Sequence, residues 1–292
     1  MSFNDNVNLD TSQVSSGGGR GAGLKVGGGL GGLVIVVIGL FFGVDLTGGT
    51  DTGVGSAPEN PSALSEKCRT GADANRDVEC RVVGTVNSVQ AYWTEELPKY
   101  GRQYPPSMTD VYRGQTESAC GTASNAVGPF YCPTDKKIYI DASFFDQLTT
   151  RFGADDGALA QEYVVAHEYG HHVQDVLGLL DEAQKDPQGA ESGAVRVELM
   201  ADCLAGMWAK GAASTEDANG VTYLKPLTQQ DIASALSAAS AVGDDRIQEK
   251  VQGRVNPEAW THGSAAQRQR WFTIGYTKGD LRACDTFAAA KL

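Results

Sequence analysis

The sequence predicts an α+β fold, with a small antiparallel sheet, a mainly helical region after it, and a single transmembrane helix in front of both. Three observations lead to this prediction. An uncharged apolar run covers residues 26–44, short strand-like segments separated by turns cover residues 111–145, and helical periodicity dominates from residue 155 onward. Strands followed by helices along the chain are typical of the α+β class.

The composition is that of a globular protein with an acidic surface. The 292 residues are 41% hydrophobic and carry a net charge of −12. This is enough apolar material for a buried core. Because no basic patch is visible, we expect no nucleic-acid partner. No oligomeric state is predicted.

The first 61 residues are expected to lie outside the folded domain. Residues 1–25 are rich in Gly, Ser and Asn, and we expect a disordered tail. Residues 26–45 are expected to form the transmembrane helix, because an apolar run of this length approaches the roughly 20 residues that cross a bilayer. A buried core segment and a cleaved signal peptide are the alternatives. Residues 46–61 form a linker, and residues 62–292 form the domain.

Charges beside the apolar run predict its orientation. Arg20 and Lys25 precede it, whereas Asp45 and Asp51 follow it. Because positive residues stay on the cytoplasmic side, the N-terminus is expected in the cytoplasm. The C-terminal domain is then expected outside it, on a single-pass protein of the cell membrane.

The cysteines agree with an oxidising compartment. All six follow the apolar run: Cys68, Cys80, Cys120, Cys132, Cys203 and Cys284. Fifteen pairings are possible for six cysteines. Two pairs are separated by short turn-containing intervals, so we expect Cys68–Cys80 and Cys120–Cys132, which leaves Cys203–Cys284. A structural zinc site is the alternative, but C-x-x-C spacing is missing.

The domain is expected to begin with a helix and a hairpin. Apolar residues recur on one side of residues 78–101, which predicts a helix. The segments FYC, residues 130–132, and IYID, residues 138–141, are mostly apolar and flank the polar turn PTDKK, which predicts a β-hairpin.

Three longer helices follow. The first is expected to be capped by Asp155 or Asp156 and to stop at Gly178. The second covers about residues 194–210. The third opens at Thr228, with Asp231 three residues on, in a pattern that resembles a capping box.

The first of these helices contains HEYGH, which predicts a metal site. His167 and His171 are four residues apart, so both imidazoles lie on one helix face and can bind one ion. Glu168 lies at the edge of that face, where it can reach a metal-bound water. His172 is rotated away and is expected to have a packing role. The alternative is a polar helix face whose histidines are satisfied by hydrogen bonds.

The second helix offers the missing ligand. Glu198 and Asp202 are four residues apart in an otherwise apolar helix, where unpaired carboxylates would be costly. In zinc hydrolases of the His-His-Glu type, a glutamate is the third ligand. We therefore expect Glu198 to bind Zn²⁺ and Asp202 to accept a hydrogen bond from a ligand histidine. A solvated acidic edge is the alternative.

Five blocks of the sequence carry a family resemblance: VVAHEYGHHVQ, RVELMADCLAGMWA, DIASALSAASAVGDDRIQ, THGSAAQRQRWFTIGY and GDLRACDTF. Together they resemble the bacterial neutral zinc metallopeptidases, a family similar to the gluzincins. The resemblance covers about residues 60–290. It implies a zincin-like domain with ligands carried on helices, a Zn²⁺ cofactor and a peptide or protein substrate. Members often carry an N-terminal membrane segment.

The resulting hypothesis is a membrane-anchored zinc metallopeptidase. Glu168 is expected to act as general base toward a zinc-activated water. His262 is the candidate for stabilising the oxyanion, with Tyr223 and Tyr276 as weaker candidates. The strand at residues 137–141 could bind the substrate as an added strand.

Two rival functions stay open. One is a catalytically silent, membrane-anchored binding module that zinc merely stabilises. It is disfavoured because structural zinc sites have four protein ligands. The other is a serine hydrolase that uses Ser264 and His262, which lacks a G-x-S-x-G motif.

Overall fold

A computed structural model of the chain describes residues 2–16, 61–124 and 127–292. The strands in these ranges are β1 (Val14–Ser16), β2 (Met108–Tyr112), β3 (Gln115–Ser118), β4 (Gly121–Ser124), β5 (Phe130–Cys132) and β6 (Lys137–Asp141). The α-helices are α1 (Pro61–Lys67), α2 (Gly71–Ala74), α3 (Val78–Glu96), α4 (Phe144–Thr150), α5 (Ala158–Leu177), α6 (Asp181–Lys185), α7 (Gly193–Gly211), α8 (Gln229–Ala241), α9 (Asp244–Gln252) and α10 (Ala265–Lys278). The mixed α and β content agrees with the predicted class.

The main sheet is mixed, which corrects the expected antiparallel sheet. Its strand order is β1-β2-β6-β5. Strands β1, β2 and β6 run parallel, and only β5 pairs antiparallel, with β6. The predicted hairpin β5–β6 is therefore confirmed. The parallel pairs join segments far apart in sequence, so no local pattern could indicate them.

The sheet has helices on one face and a small hairpin on the other. On the helical face, the hydroxyl oxygens of Thr109 in β2 and Tyr169 in α5 lie 2.9 Å apart. The opposite face carries a smaller apolar cluster that includes Tyr112 and Tyr139, under the two-stranded sheet β3–β4. The larger core, around α3, α5, α7 and α10, holds the candidate site.

The N-terminal residues are built into the domain, so the disorder expected for residues 1–25 is wrong for residues 2–16. Phe3 and Val7 are completely buried, and β1 is the strand that flanks β2. The Asn8 backbone N–H donates to the Asp217 carboxylate at 2.9 Å. The N-terminal segment has too few apolar residues to form a core of its own, but its apolar side chains pack into the core of the domain.

The predicted membrane topology is wrong because residues 2–16 pack into the domain that was expected on the other side of the membrane. A tail in the cytoplasm could not supply a strand to a sheet outside it. No helix among the described residues combines the length and apolarity needed to cross a bilayer. The span predicted at residues 26–45, and the boundaries of the linker at 46–61, lie outside the described residues.

The long helices lie close to their predicted positions. Helix α5 begins after Gly157, which occupies the N-cap position predicted for Asp155 or Asp156. The Asp155 N–H donates to Ser237 in α8. Helix α5 ends at Gly178, which takes the left-handed conformation as predicted. The predicted helix at residues 194–210 is α7.

The predicted start of α8 is confirmed. The hydroxyl oxygen of Thr228 accepts the N–H of Asp231, whose carboxylate accepts the N–H of Thr228 in return. This capping box satisfies two backbone donors at the end of the helix.

All three disulfides have the predicted pairing, Cys68–Cys80, Cys120–Cys132 and Cys203–Cys284. The last closes the longest loop, with a sequence separation of 81. In the chain-entropy model such a loop contributes about 4–5 kcal/mol to stability. It joins α7, which carries Glu198, to the segment that follows α10.

The fully buried carboxyl group of Glu162 in α5 predicts a pH dependence of stability. Its two oxygens have no hydrogen-bond partner within the described ranges, and burial raises its pKa to about 7. Arg81 from α3 lowers this pKa and Asp231 from α8 raises it, both less than burial does. The folded state therefore holds a proton that the unfolded state loses near pH 4.3, so stability decreases between about pH 4.3 and 7.

We expect the Glu162→Gln substitution to remove this decrease. Its free energy of unfolding should match that of the original chain near pH 4.5 and exceed it by roughly 3 kcal/mol at pH 8. Urea unfolding at several pH values measures the difference, with the exposed Glu258→Gln as control. A difference that does not grow with pH would contradict the assignment.

Candidate metal centre

Two helices bring the predicted ligands together because their backbones nearly touch. Gly170 in α5 faces Ala201 in α7, and a Cβ atom at position 170 would lie 3.0 Å from the Ala201 Cα. The glycine lies between His167 and His171, and Ala201 follows Glu198 by three residues. The close approach therefore occurs where the two histidines meet the carboxylate.

The three predicted ligands converge on one point. The Nε2 atom of His167 lies 3.2 Å from Oε2 of Glu198, and Nε2 of His171 lies 3.4 Å from Oε1. All three residues are buried, and each offers a ligand atom within 4.8 Å of those of the other two. Two imidazole nitrogens and a carboxylate oxygen are a donor set that suits Zn²⁺.

The outer nitrogens of both imidazoles are held by hydrogen bonds. The Nδ1–H of His167 donates to Asp202 Oδ1 at 2.8 Å, and the Nδ1–H of His171 donates to the amide oxygen of Gln174 at 2.8 Å. The Gln174 amide nitrogen in turn donates to the Val197 carbonyl oxygen at 2.6 Å. Both rings are thus fixed with Nε2 toward the shared point, as a metal site requires.

The acidic and basic groups of the ligand cluster stabilise each other's charged forms. Burial would raise the pKa of Glu198, but the neighbouring His262, His171 and His167 hold it well below its usual range. Burial would lower the pKa of His167, but Asp202 and Glu198 raise it to about 10. Binding of a metal ion at this imidazole therefore releases a proton.

Glu168 stands beside the ligands on the wall of a cavity. Burial raises the pKa of its carboxyl group. The cavity has a volume of about 80 Å³. Fourteen residues line it: Val127, Pro129, Phe130, Tyr131, Phe144, Tyr163, Val164, His167, Glu168, His171, Glu198, Val242, His262 and Arg268. The site is thus a cavity lined by apolar side chains and by a cluster of ionisable groups.

His262 lies in the same cavity and has an acidic partner that the sequence did not reveal. Its Nδ1 atom lies 3.5 Å from Oδ1 of Asp244. The other oxygen of Asp244 accepts the backbone N–H groups of Thr261, His262 and Gly263. Glu198 and Asp244 raise the pKa of His262 against the effect of burial. Asp244 follows a glycine at the start of α9, a common place for any helix-capping acid, so its position gave no distinct indication.

Arg268 is the second residue that the sequence reasoning missed. It lies on α10, lines the cavity and forms an ion pair with Asp202. Its position on the face that carries Trp271, Phe272 and Gly275 was an available indication, since these residues are buried. A charged residue on the apolar face of a helix usually has a buried partner.

Three other predicted assignments do not fit the geometry. Strand β6, expected to bind substrate, is paired on both sides, so it has no open edge. Tyr223 and Tyr276 are not among the described residues that line the cavity. The hydroxyl of Ser264 donates to the Gln267 amide oxygen in the cap of α10, so it is not paired with His262 as a nucleophile would be.

His172 is held away from the ligand cluster. Its Nε2–H donates to the Pro105 carbonyl oxygen at 2.7 Å, and its Nδ1 lies 3.2 Å from the Tyr131 hydroxyl, which donates to Asp175. The hydrogen bond to the loop and the contact with strand β5 therefore hold the ring of His172 in place. This agrees with the predicted packing role.

Comparison with protein families gives one match that spans nearly the whole chain. Residues 2–287 match the family described as "Putative neutral zinc metallopeptidase". The match includes the N-terminal residues that pack into the domain, as well as every residue of the ligand cluster.

Two relatives show how similar the chain is to other bacterial proteins. The uncharacterized protein Rv2575 of Mycobacterium tuberculosis (strain H37Rv) is 59% identical over 227 residues, which are 77% of this chain and 76% of that protein. The uncharacterized protein YpfJ of Escherichia coli (strain K12) is 38% identical over 291 residues, 96% of this chain and 95% of that protein. No solved structure matches the chain.

The contrast between the adjacent His171 and His172 yields a test of the metal centre. We expect His171→Ala to reduce bound zinc well below one ion per chain, because an imidazole at the point of convergence is lost. His172→Ala should keep the zinc while lowering thermal stability, because it removes the hydrogen bond to Pro105, worth about 1 kcal/mol, and the ring contacts with Tyr104 and Tyr131.

Elemental analysis of the purified variants measures the zinc, and circular dichroism confirms that both are folded. Equal zinc content in the two variants would contradict the assignment of His171.

Proposed function

The chain belongs to the family of neutral zinc metallopeptidases, and on that premise we propose that it hydrolyses peptide bonds with zinc held by His167, His171 and Glu198. The observation that carries the proposal is the convergence of two imidazole Nε2 atoms and one carboxylate on a single buried point. When bound there, zinc acts as a Lewis acid that polarises a carbonyl group and lowers the pKa of water.

Glu168 is the proposed general base. It follows His167 directly on α5 and lines the cavity, so its carboxylate lies beside the ligands without being one of the converging three. The raised pKa of this carboxyl group suits an acid–base role near neutral pH. A Glu168 oxygen takes the proton of the attacking water and passes it to the leaving nitrogen.

His262 is the proposed donor to the oxyanion. It reaches the cavity from a loop, and its raised pKa favours the protonated imidazole. Asp244 holds that loop through three backbone N–H groups and faces the His262 ring. An oriented, charged donor of this kind stabilises negative charge that develops on the substrate carbonyl oxygen.

We place the substrate backbone along β5. This strand is the last in the order β1-β2-β6-β5, so one of its edges has no partner strand among the described residues. Phe130 and Tyr131 of β5 line the cavity. An extended peptide can pair with such an edge through main-chain hydrogen bonds, which accept many sequences. We therefore propose β5, the neighbour of β6, as the strand that pairs with the substrate.

The geometry favours catalysis over a silent, zinc-stabilised binding module. A structural zinc site is closed by four protein ligands, whereas a catalytic site leaves one position open. Here three ligands converge at the end of a cavity that also contains Glu168 and His262. A quenched fluorescent peptide library, incubated with the protein before and after removal of zinc by a chelator, separates the two functions. Cleavage that returns on addition of zinc supports the peptidase, and its absence supports the silent module.

The Glu168→Gln substitution tests the mechanism. It replaces the base by a neutral group of nearly the same size, so zinc should remain near one ion per chain. Hydrolysis should fall by about 10²–10⁴-fold, the range typical of a lost general base. Zinc content and the cleavage rate of one library-derived peptide are measured on the same sample. Unchanged hydrolysis with bound zinc would remove Glu168 from the mechanism.

The His262→Ala substitution tests the oxyanion donor separately. We expect kcat to fall by about 10²-fold or more, because one donor to the developing charge is lost. Zinc content should not change, since His262 is outside the converging three. Steady-state kinetics and metal analysis check both parts, and an unaltered kcat would exclude the proposed role.

A further inference from the structure

Arg268 makes a two-point ion pair inside the core, directly behind the metal centre. Its Nε donates to Asp202 Oδ2 at 2.8 Å, and its Nη2 donates to Asp202 Oδ1 at 2.9 Å. Asp202 is completely buried, and Arg268 is only 3% exposed. Paired donation of this kind fixes both the position and the rotation of a carboxylate.

The remaining contacts of the guanidinium are also with the protein. Nη2 lies 3.2 Å from the Tyr163 hydroxyl oxygen, and Nη1 lies 3.3 Å from the Val242 carbonyl oxygen. Nη2 also lies 3.4 Å from Nδ1 of His167, but that nitrogen cannot accept a hydrogen bond while its own N–H donates to Asp202. The Tyr163 hydroxyl itself donates to Asp202. Arg268 thus lines the cavity, but its hydrogen bonds go to Asp202, Tyr163 and Val242.

The position of Arg268 is set by the packing of α10 on α7. Gly206 of α7 faces the Phe272 carbonyl, and Gly275 of α10 faces the Cys203 carbonyl, in both cases too closely for a side chain. The Cys203–Cys284 disulfide links α7 to the segment directly after α10. The backbones of the two helices are therefore in contact, which brings Arg268 of α10 against the short side chain of Asp202 in α7.

We propose that Arg268 is a positioning residue for the metal centre, acting through Asp202. The guanidinium locks Asp202, and Asp202 locks His167 through the 2.8 Å bond to its Nδ1–H. This leaves the His167 Nε2 directed at Glu198 and the metal. The inference rests on the proposed zinc site, and it adds a third helix, α10, to the two that supply the ligands.

The side chain has to be arginine for this role. A buried carboxylate without a cation is strongly destabilising, so Asp202 needs a partner of opposite charge. Lysine would supply the charge but only one point of contact, and glutamine would supply no charge. Neither substitution can hold both oxygens of Asp202 while also contacting Tyr163.

The experiment measures zinc affinity, by competition with a chromophoric chelator, for the full chain and five variants. These are Arg268→Lys, Arg268→Gln, Asp202→Asn, the double variant Asp202→Asn/Arg268→Gln, and Arg270→Gln. Arg270 lies on the exposed side of the same helix and is the matched control. Circular dichroism with and without zinc shows which variants are folded.

We expect Arg268→Gln to bind zinc about 10–100-fold more weakly, the range known for groups that orient metal ligands. Arg268→Lys should fall between Arg268→Gln and the original chain, and Arg270→Gln should match the original. The double variant should bind zinc no more weakly than Asp202→Asn alone, because Arg268 acts through Asp202. If Arg268→Gln does not fold, the lysine variant and the double variant, which lacks the unpaired charge, still give the comparison.

Two results would overturn the inference. One is a folded Arg268→Lys variant that binds zinc as tightly as the original chain, together with a folded double variant that binds zinc more weakly than Asp202→Asn alone. In that case the effect of Arg268 would be independent of Asp202. The other is unchanged zinc affinity in both Arg268 variants with a raised KM, which would make Arg268 a substrate-binding residue. Failure of the original chain to bind zinc would instead refute the proposed function.

Discussion

The buried carboxylate of Asp202 is the group on which the core and the candidate site both depend. It is carried by α7 and accepts hydrogen bonds from Tyr163 and His167 of α5 and from Arg268 of α10. A charge in this place is stable only while these donors surround it, and removing one partner of such a buried pair typically costs about 3–5 kcal/mol. The same hydrogen bonds to Asp202 therefore hold the three helices together and orient the metal ligand His167.

Small residues make that arrangement possible. An aspartate side chain is short, so it can join three helices only where their axes approach unusually closely. Gly170 faces Ala201 between α5 and α7, and Gly206 and Gly275 do the same between α7 and α10. A larger residue at any of these positions would separate the helices and lengthen the bonds to Asp202. The glycines thus contribute to the site without containing a functional group.

The sequence predicted what depends on local spacing. The helical period placed His167 and His171 on one face, and the same period placed Glu198 and Asp202 one turn apart, as the structure has them. It did not reveal the parallel strand β1, because β1 pairs with a segment far away in sequence. It did not reveal Asp244 either, because an acidic residue at the start of a helix is common and does not indicate a partner such as His262. The tail was misjudged because averaging over a Gly-rich stretch hid the few apolar residues that pack into the core.

The N-terminal strand also constrains the order in which the molecule can be assembled. The Asn8 bond to Asp217 joins residues 209 positions apart, and β1 pairs with β2 over more than ninety positions. During synthesis the first residues leave the ribosome long before their partners exist. Strand β1 therefore stays unpaired until β2 has been translated, and the bond from Asn8 waits until Asp217 has been translated. An unpaired strand is a place where unfinished chains pair with each other. Such long-range closure makes folding slow and makes early intermediates dependent on protection from aggregation.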